Sequence, residues 1–164
     1  MQTSLTIDDL DKRETIHVAH AGSLVLTRYH QTSPADLDRL LRLQLQVAKR
    51  HDGQMSMLSF VALKGTEGRI SDELRKKSVE IIGQLSAVCR GSATVVIGVG
   101  LSATMVRLFL TGFYLLSNPP FPQSAFSTVA EGLSWVQRLP GQKPELGSLT
   151  AAAIIKHFGL TGAR

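Results

Sequence analysis

The chain has 164 residues, a length typical of one domain with modest appendages, so two large domains are excluded. Hydrophobic residues make up 43% of the chain and charged residues 19%, which supports a packed core and argues against a disordered chain. The 18 Lys and Arg residues outnumber the 13 Asp and Glu residues, and the formal net charge of +5 permits an anionic partner.

The single cysteine and the acidic start of the chain bear on the compartment in which the protein works. Cys89 cannot form an internal disulfide. Asp8, Asp9 and Asp11 stand where a signal peptide would need an apolar run. We therefore expect a cytoplasmic protein, with residues 1–14 as an N-terminal arm.

The first predicted elements are strands. Two apolar runs, residues 16–20 and 24–29, flank a short turn that contains Gly22, a pattern typical of a β-hairpin. The apolar segment 55–63 has the length of a third strand.

Two helices are predicted around this third strand. Ser33 and Pro34 supply an N-cap and a first helical position, and the leucine stripe that follows extends the helix to about Arg50. Ser71 precedes two acidic residues, which are suited to the positive end of a helix. The apolar spacing then predicts that the second helix continues to near Gly91.

The second half continues the alternation of strands and helices. The sequence predicts a buried strand over residues 94–99, a helix that starts near Ser102, and a short edge strand over 125–127. Thr128 begins a capping box for the next helix. A last short helix is predicted over residues 149–158.

Residues 93–116 are mostly apolar and long enough for a membrane span. Gly98 and Gly100 interrupt the run early, however, and Arg107 lies well inside it. The run also changes from β-branched residues to a helix-spaced set. A buried strand that leads into a buried helix is therefore the better interpretation, and no transmembrane segment is predicted.

The element order predicts an α/β fold, with a mixed sheet that is opened by a hairpin and has helices packed against it. We expect the domain to cover residues 15–140, followed by a linker and a short C-terminal helix over 141–164. Five apolar side chains are predicted to lie in the interior: Leu41, Ile82, Val96, Phe109 and Trp135. Truncation of a buried Phe109 to alanine should cost about 3–5 kcal/mol.

A glycine turn gives the chain its one candidate small-molecule site. Residues 98–103 read G-x-G-x-x-A between a predicted strand and helix, where a dinucleotide fingerprint belongs. The acidic residue expected about 20 positions later is missing. We therefore expect no nicotinamide or flavin cofactor. An anion could still bind at Gly98, Gly100 and Ser102, with help from Arg107.

The sequence contains no pattern typical of an enzyme. His17 and His20 lie three apart on a predicted strand, so they face opposite sides and cannot share a metal ion from a regular strand. Cys89 falls on the apolar stripe of the second predicted helix, where a core thiol is favoured over a nucleophile. The other histidines have no neighbouring ligand pattern: His30, His51 and His157. No catalytic residue, metal site or cofactor is predicted.

Two segments carry a family resemblance: VVIGVGLSATMVRLFLTGFYLL and, after a run of prolines, AFSTVAEGLSWVQRL. Residues 95–136 resemble the carboxy-terminal half of STAS domains, the module of bacterial anti-anti-sigma factors and of sulfate-transporter tails, and the related STAS-like proteins grouped with lipid-binding SEC14 folds. The hairpin and the Ser-Pro start of the first helix agree with that fold. The resemblance covers about 120 residues and implies a non-enzymatic protein-interaction module.

STAS domains of the antagonist type are also switched by phosphorylation after the third strand. Their Asp-Ser-Ser-Gly-like turn carries the modified hydroxyl. This chain has residues 64–72, KGTEGRISD, at that place. Ser71 at the helix start and Thr66 in the turn are therefore the candidate phosphorylation sites, although Ser71 as a simple N-cap is the favoured interpretation.

Two main kinds of function follow from these patterns, beside a third and weaker interpretation in which a basic surface docks on anionic membranes or nucleic acid. The first is a STAS-like module in bacterial cytoplasmic signalling, which binds a protein partner such as a kinase or an anti-sigma-like regulator near the third strand and the second helix. The second is a domain that binds a nucleotide, an anion or a lipid at the glycine turn. The sequence leaves open whether the protein forms a homodimer. Nucleic acid is disfavoured, because the basic residues lie among acidic ones without interleaved aromatic residues.

Overall fold

A computed structural model describes residues 4–30, 32–62, 72–98 and 118–160 of the chain. The predicted helix that starts near Ser102 and the predicted core residue Phe109 lie outside this part. The described elements, in chain order, are β1 (Asp8–Lys12), β2 (Ile16–Ala21), β3 (Leu24–Tyr29), α1 (Pro34–Arg50), β4 (Met55–Ala62), α2 (Asp72–Gln84), β5 (Cys89–Ile97), β6 (Gln123–Phe126), α3 (Val129–Gln137), a 3-10 helix (Pro144–Ser148) and α4 (Ala151–Phe158).

The described strands form one mixed sheet in which strand order follows chain order, from β1 at one edge to β6 at the other. β1, β2 and β3 pair antiparallel, and β3, β4, β5 and β6 pair parallel. The expected α/β class and the hairpin that opens the mixed sheet are therefore confirmed. The predicted edge strand is also present, although it begins two residues earlier, at Gln123.

Each face of the sheet is covered by helices. On one face, α1 and α2 enclose a core with side chains from β2, β3 and β4, including Val18, Val25 and Met57. On the other face, α3, the 3-10 helix and α4 pack against a second set from the same strands, including Leu26, Leu58 and Phe60. Because successive side chains of a strand point to opposite faces, each central strand contributes to both cores.

The first helix begins and ends where its sequence predicts. The Ser33 hydroxyl accepts the Asp36 amide at 3.3 Å, and the Asp36 carboxylate accepts the Ser33 amide at 2.9 Å. The Thr15 hydroxyl also donates to Asp36, at 3.1 Å. The hydrogen bond from the Ser33 amide lowers the pKa of Asp36, so this carboxylate stays ionised and caps the positive end of α1.

The second helix ends earlier than predicted, and this prediction was wrong. α2 stops at Gln84, and Cys89 begins β5 instead of lying on a helical stripe that extends to Gly91. The Met55 amide donates to the Val88 carbonyl at 2.8 Å, and Met55 pairs with Cys89. Pairing with β4 therefore begins here, and it competes successfully with continuation of the helix.

The N-terminal residues also differ from expectation. Residues 8–12, assigned to an arm, form the strand β1, which pairs with β2. Their many aspartates lower the strand propensity of the segment, but charged residues are common on the edge strand of a sheet.

The predicted interior residues are buried to different degrees. Leu41 and Val96 are buried, at 8% and 0% exposure, whereas Ile82 and Trp135 are only partly buried. Ile82 lies on α2, in which Ile81 alone is buried. Among the helices of the described part of the chain, none combines the length and hydropathy needed to cross a membrane.

Local signals at the C-terminal helices are confirmed. The Thr128 hydroxyl accepts the Glu131 amide at the start of α3. Gly159 adopts a φ of 62° directly after α4, where glycine avoids the steric cost of the left-handed conformation. The predicted last helix begins two residues later than expected, at Ala151 with Thr150 as its N-cap, and residues 144–148 before it form a 3-10 helix.

Candidate functional site

Most of the predicted site residues lie outside the described residues: Thr66, Ser71, Gly100, Ser102 and Arg107. Gly98 is described, and it is exposed at the end of β5 with a φ of 155°. A residue with a side chain rarely adopts this conformation, so the backbone requires glycine here. Ala62 and Phe126 end β4 and β6 at the same edge of the parallel sheet. In open α/β sheets, ligands bind outside the carboxyl ends of the strands at a point where the strand order reverses, and the order of the described strands has no reversal.

The helix that follows the predicted phosphorylation segment exposes most of its surface. Of the 13 residues of α2, all of them described, Ile81 alone is buried. Val79 is 48% exposed, and Arg75 and Lys76 are exposed on the same side of the helix. Lys77 Nζ and Asp38 Oδ1 form an ion pair at 2.8 Å, which connects α2 to α1.

A second group of polar side chains lies on the opposite face of the sheet, where β1, β2 and α4 meet. Asp9 of β1, His17 of β2 and His157 of α4 place one ligand-type atom each within 4.8 Å of one another. His17 is buried, His157 is partly buried and Asp9 is exposed. Within the described ranges, this is the one group of three or more such residues close enough to hold a metal ion.

A β-bulge brings Asp9 to this face. Asp9 pairs with Ala19, but Asp11 pairs with Val18, so one extra residue lies between them. In a regular strand Asp9 and Asp11 would lie on the same face, but the extra residue places them on opposite faces. Asp9 therefore reaches His17 and His157, whereas the Asp11 carboxylate contacts Arg39 of α1 at 3.2 Å on the other face.

Both histidines bond to the same carboxylate oxygen. The Nε2 atoms of His17 and His157 lie 2.6 Å and 2.7 Å from Asp9 Oδ1. An ionised carboxylate only accepts hydrogen bonds, so each ring donates from Nε2 in this arrangement. Partial burial raises the pKa of Asp9, but the hydrogen bonds from His17 and His157 and the charge of their rings lower it more. The pKa of Asp9 is therefore below its ordinary value, and the carboxylate is ionised at neutral pH.

Apolar and polar contacts hold the end of α4 against these residues. The Phe158 ring is buried, with its centroid 4.6 Å from that of His17 and 5.4 Å from that of Phe60. Arg28, which pairs with His17 across β2 and β3, donates from Nη1 to the Phe158 carbonyl. Because His157 precedes Phe158 in α4, these contacts fix the backbone that carries His157.

The sequence patterns did not predict this cluster. The spacing of His17 and His20 predicts that they face opposite sides of the sheet. His20 lies on the other face, as expected, where its Nδ1 bonds to the Gly22 carbonyl at 3.0 Å. His157 was assigned no ligand neighbour, which the structure corrects. Its partner Asp9 is 148 residues away, and no local spacing reports such a contact.

Cys89 is in the core, as expected, although on a strand. Burial raises the pKa of its thiol to about 12. The thiolate fraction at pH 8 is therefore very small, and we expect alkylation of the native chain by iodoacetamide to be at least about 100-fold slower than that of the chain in denaturant. Mass spectrometry of both states checks this expectation. Equal rates would contradict the burial of Cys89.

Comparisons of the chain with protein-family models, with curated proteins and with solved structures found no match.

Proposed function

We propose that this protein is a non-enzymatic, STAS-like interaction module of the bacterial cytoplasm, and that it binds a regulatory protein through α2. The exposure of α2 is the observation that carries the proposal. α1 presents seven buried residues to the core, whereas α2 presents one and leaves Val79 nearly half exposed. We infer that a partner covers this surface, on which the exposed Val79 lies beside the basic side chains of Arg75 and Lys76.

The charges of α2 indicate what such a partner must offer. Arg75 and Lys76 extend from the turn that precedes Val79, so a partner that covers Val79 lies next to two positive charges. Carboxylates at the rim of its binding surface would complement them and increase the rate of association.

The experiment is an affinity purification with the full chain and two matched variants. Arg75→Glu/Lys76→Glu reverses two charges on α2, and Lys12→Glu/Lys156→Glu makes the same change in net charge on the opposite face of the sheet, where both lysines are exposed. We expect a protein that co-purifies with the parent and with the control to bind the α2 variant at least tenfold more weakly. Equal binding by all three chains would contradict the proposal.

The phosphorylation candidates precede this surface in the chain, since α2 begins at Asp72. A phosphate on Ser71 would add about −1.5 to −2 charges at a helix N-terminus, where the helix dipole favours anions. Asp72 and Glu73 already occupy this end and oppose the gain. We expect Ser71→Asp to change stability by less than about 1 kcal/mol and to alter partner affinity. If the identified partner binds Ser71→Asp, Thr66→Asp and the parent equally, α2 binds constitutively.

Binding of a small molecule is the second candidate function, and Gly98 favours it. The glycine conformation leaves the backbone at the carboxyl end of β5 open to close approach by an anion or a nucleotide. A thermal-shift screen with phosphate, nucleotides and fatty acids tests this. A ligand at 100 times its dissociation constant stabilises the folded chain by about 2.7 kcal/mol. An unchanged melting temperature with every compound would argue against this candidate.

A further inference from the structure

We propose that Asp9, His17 and His157 form a binding site for one divalent transition-metal ion of the zinc type. The proposal concerns the face of the sheet opposite α2 and does not depend on the interaction module proposed above. It rests on three ligand-type side chains from three separate elements that converge on one point.

The ligand set selects the class of ion. Imidazole nitrogens suit Zn²⁺ and its neighbours among the first-row transition metals, whereas Ca²⁺ and Mg²⁺ prefer oxygen ligands. Two histidines and one carboxylate are three protein ligands, and solvent can supply a fourth to a tetrahedral Zn²⁺. The exposed side of the cluster suits that fourth position, because the Asp9 and His157 side chains are 42% and 24% exposed while that of His17 is 8% exposed.

The distances require only a small adjustment. Metal–ligand bonds of about 2.0–2.2 Å in a tetrahedral site separate the ligand atoms by about 3.3 Å. The two Nε2 atoms now lie 2.6 Å and 2.7 Å from Asp9 Oδ1, so each of these two distances must open by about 0.6–0.7 Å, and all three ligand atoms lie within 4.8 Å of one another. Asp9 and His157 have the solvent exposure to make this movement, whereas His17 is held in the core.

The imidazole chemistry is compatible with exchange of hydrogen bonds for metal bonds. A neutral ring presents its Nε2 lone pair when its proton is on Nδ1. The metal ion then replaces the two hydrogen bonds that Asp9 now accepts from the Nε2 atoms, and Asp9 keeps its negative charge as a metal ligand. Lys12 and Arg28 both pair with His17 on this face; the Lys12 side chain is exposed, and Arg28 Nη1 donates to the Phe158 carbonyl.

The alternative is that the three residues form only a hydrogen-bonded clamp between β1, β2 and α4. Both arrangements would stabilise the fold, so loss of stability on substitution does not distinguish them. Binding of Zn²⁺ does distinguish them, because a role as a clamp alone predicts no Zn²⁺ binding that depends on these residues.

The test is titration of the full, metal-free chain with Zn²⁺ in competition with a chromophoric chelator. We expect one Zn²⁺ per chain, and at least about 100-fold weaker binding to His157→Gln and to Asp9→Asn. His20→Gln and His51→Gln are matched controls, because each removes an imidazole outside the cluster, and both should bind Zn²⁺ like the parent. Circular dichroism verifies that each variant is folded.

A thermal measurement gives an independent readout. Zn²⁺ should raise the melting temperature of the parent and of His51→Gln, and leave that of His157→Gln unchanged. With Co²⁺, the parent should show the visible absorption of a tetrahedral or five-coordinate site, and His157→Gln should not. Absence of Zn²⁺ binding tighter than about 100 μM, or equal binding by the parent and His157→Gln, would overturn the proposal.

Discussion

Replacement of Phe60 by alanine is expected to lower the free energy of unfolding by about 3–5 kcal/mol. Phe60 lies in β4, in the middle of the sheet, and is fully buried. Its ring packs 5.4 Å from that of Phe158, so its removal leaves a cavity between the sheet and α4. Because a close-packed core relaxes only partly, the cavity adds to the lost transfer free energy.

Leu45→Ala is the matched control for this prediction. Leu45 is on α1 and is 37% exposed, so its truncation should change stability by less than about 1 kcal/mol. Urea denaturation of the parent and both variants measures the difference. If Phe60→Ala and Leu45→Ala unfold at the same urea concentration, the core on the α4 face is wrongly placed.

Gly132→Ala is the second large effect, and we expect it to destabilise the chain by about 1–3 kcal/mol. Gly132 lies in α3, where the helix crosses β4 and β5. A Cβ atom at this position would lie 2.8 Å from Val95 Cγ2 and 3.1 Å from Leu58 Cδ1. Both neighbours are fully buried, so neither can move away easily.

Gly83→Ala, which is also in a helix, is expected to have the opposite effect on stability. Gly83 lies in α2, and no described atom is within 4 Å of the position of its Cβ. Alanine is the better helix former, so this variant should gain about 0.4–1 kcal/mol. Thermal unfolding of both variants shows whether each substitution raises or lowers the melting temperature. A stabilised Gly132→Ala would show that α3 does not approach the sheet as closely as described.

Local chemistry explains why much of the fold was predictable. Ser33 and Pro34 start α1, Thr128 starts α3 and Gly159 ends α4, and each signal acts within a few residues of itself. The hairpin turn at Gly22 is likewise local. These boundaries require no knowledge of the rest of the chain.

The wrong predictions depend on pairing between distant segments. The spacing of Leu85 and Cys89 fits a helix, but alignment with β4 places Cys89 in a strand. The aspartate-rich segment of β1 acquires its structure from β2. Local propensity is outweighed in both places by the contacts of the sheet.

The histidine cluster was beyond local patterns for the same reason. His17 and Asp9 are separated by eight residues, and a single-residue bulge decides whether they share a face. His157 arrives from the other end of the chain. A register with no bulge at Asp9 would pair the same residues differently, and the sequence carries no clear signal for the bulge.

Amide hydrogen exchange of the chain, alone and in complex with the purified partner, tests the proposed function most directly. The account predicts slower exchange in residues 72–84, because the partner covers α2, and unchanged exchange in α4 on the opposite face. Slower exchange in α4 with no change in residues 72–84 would contradict it.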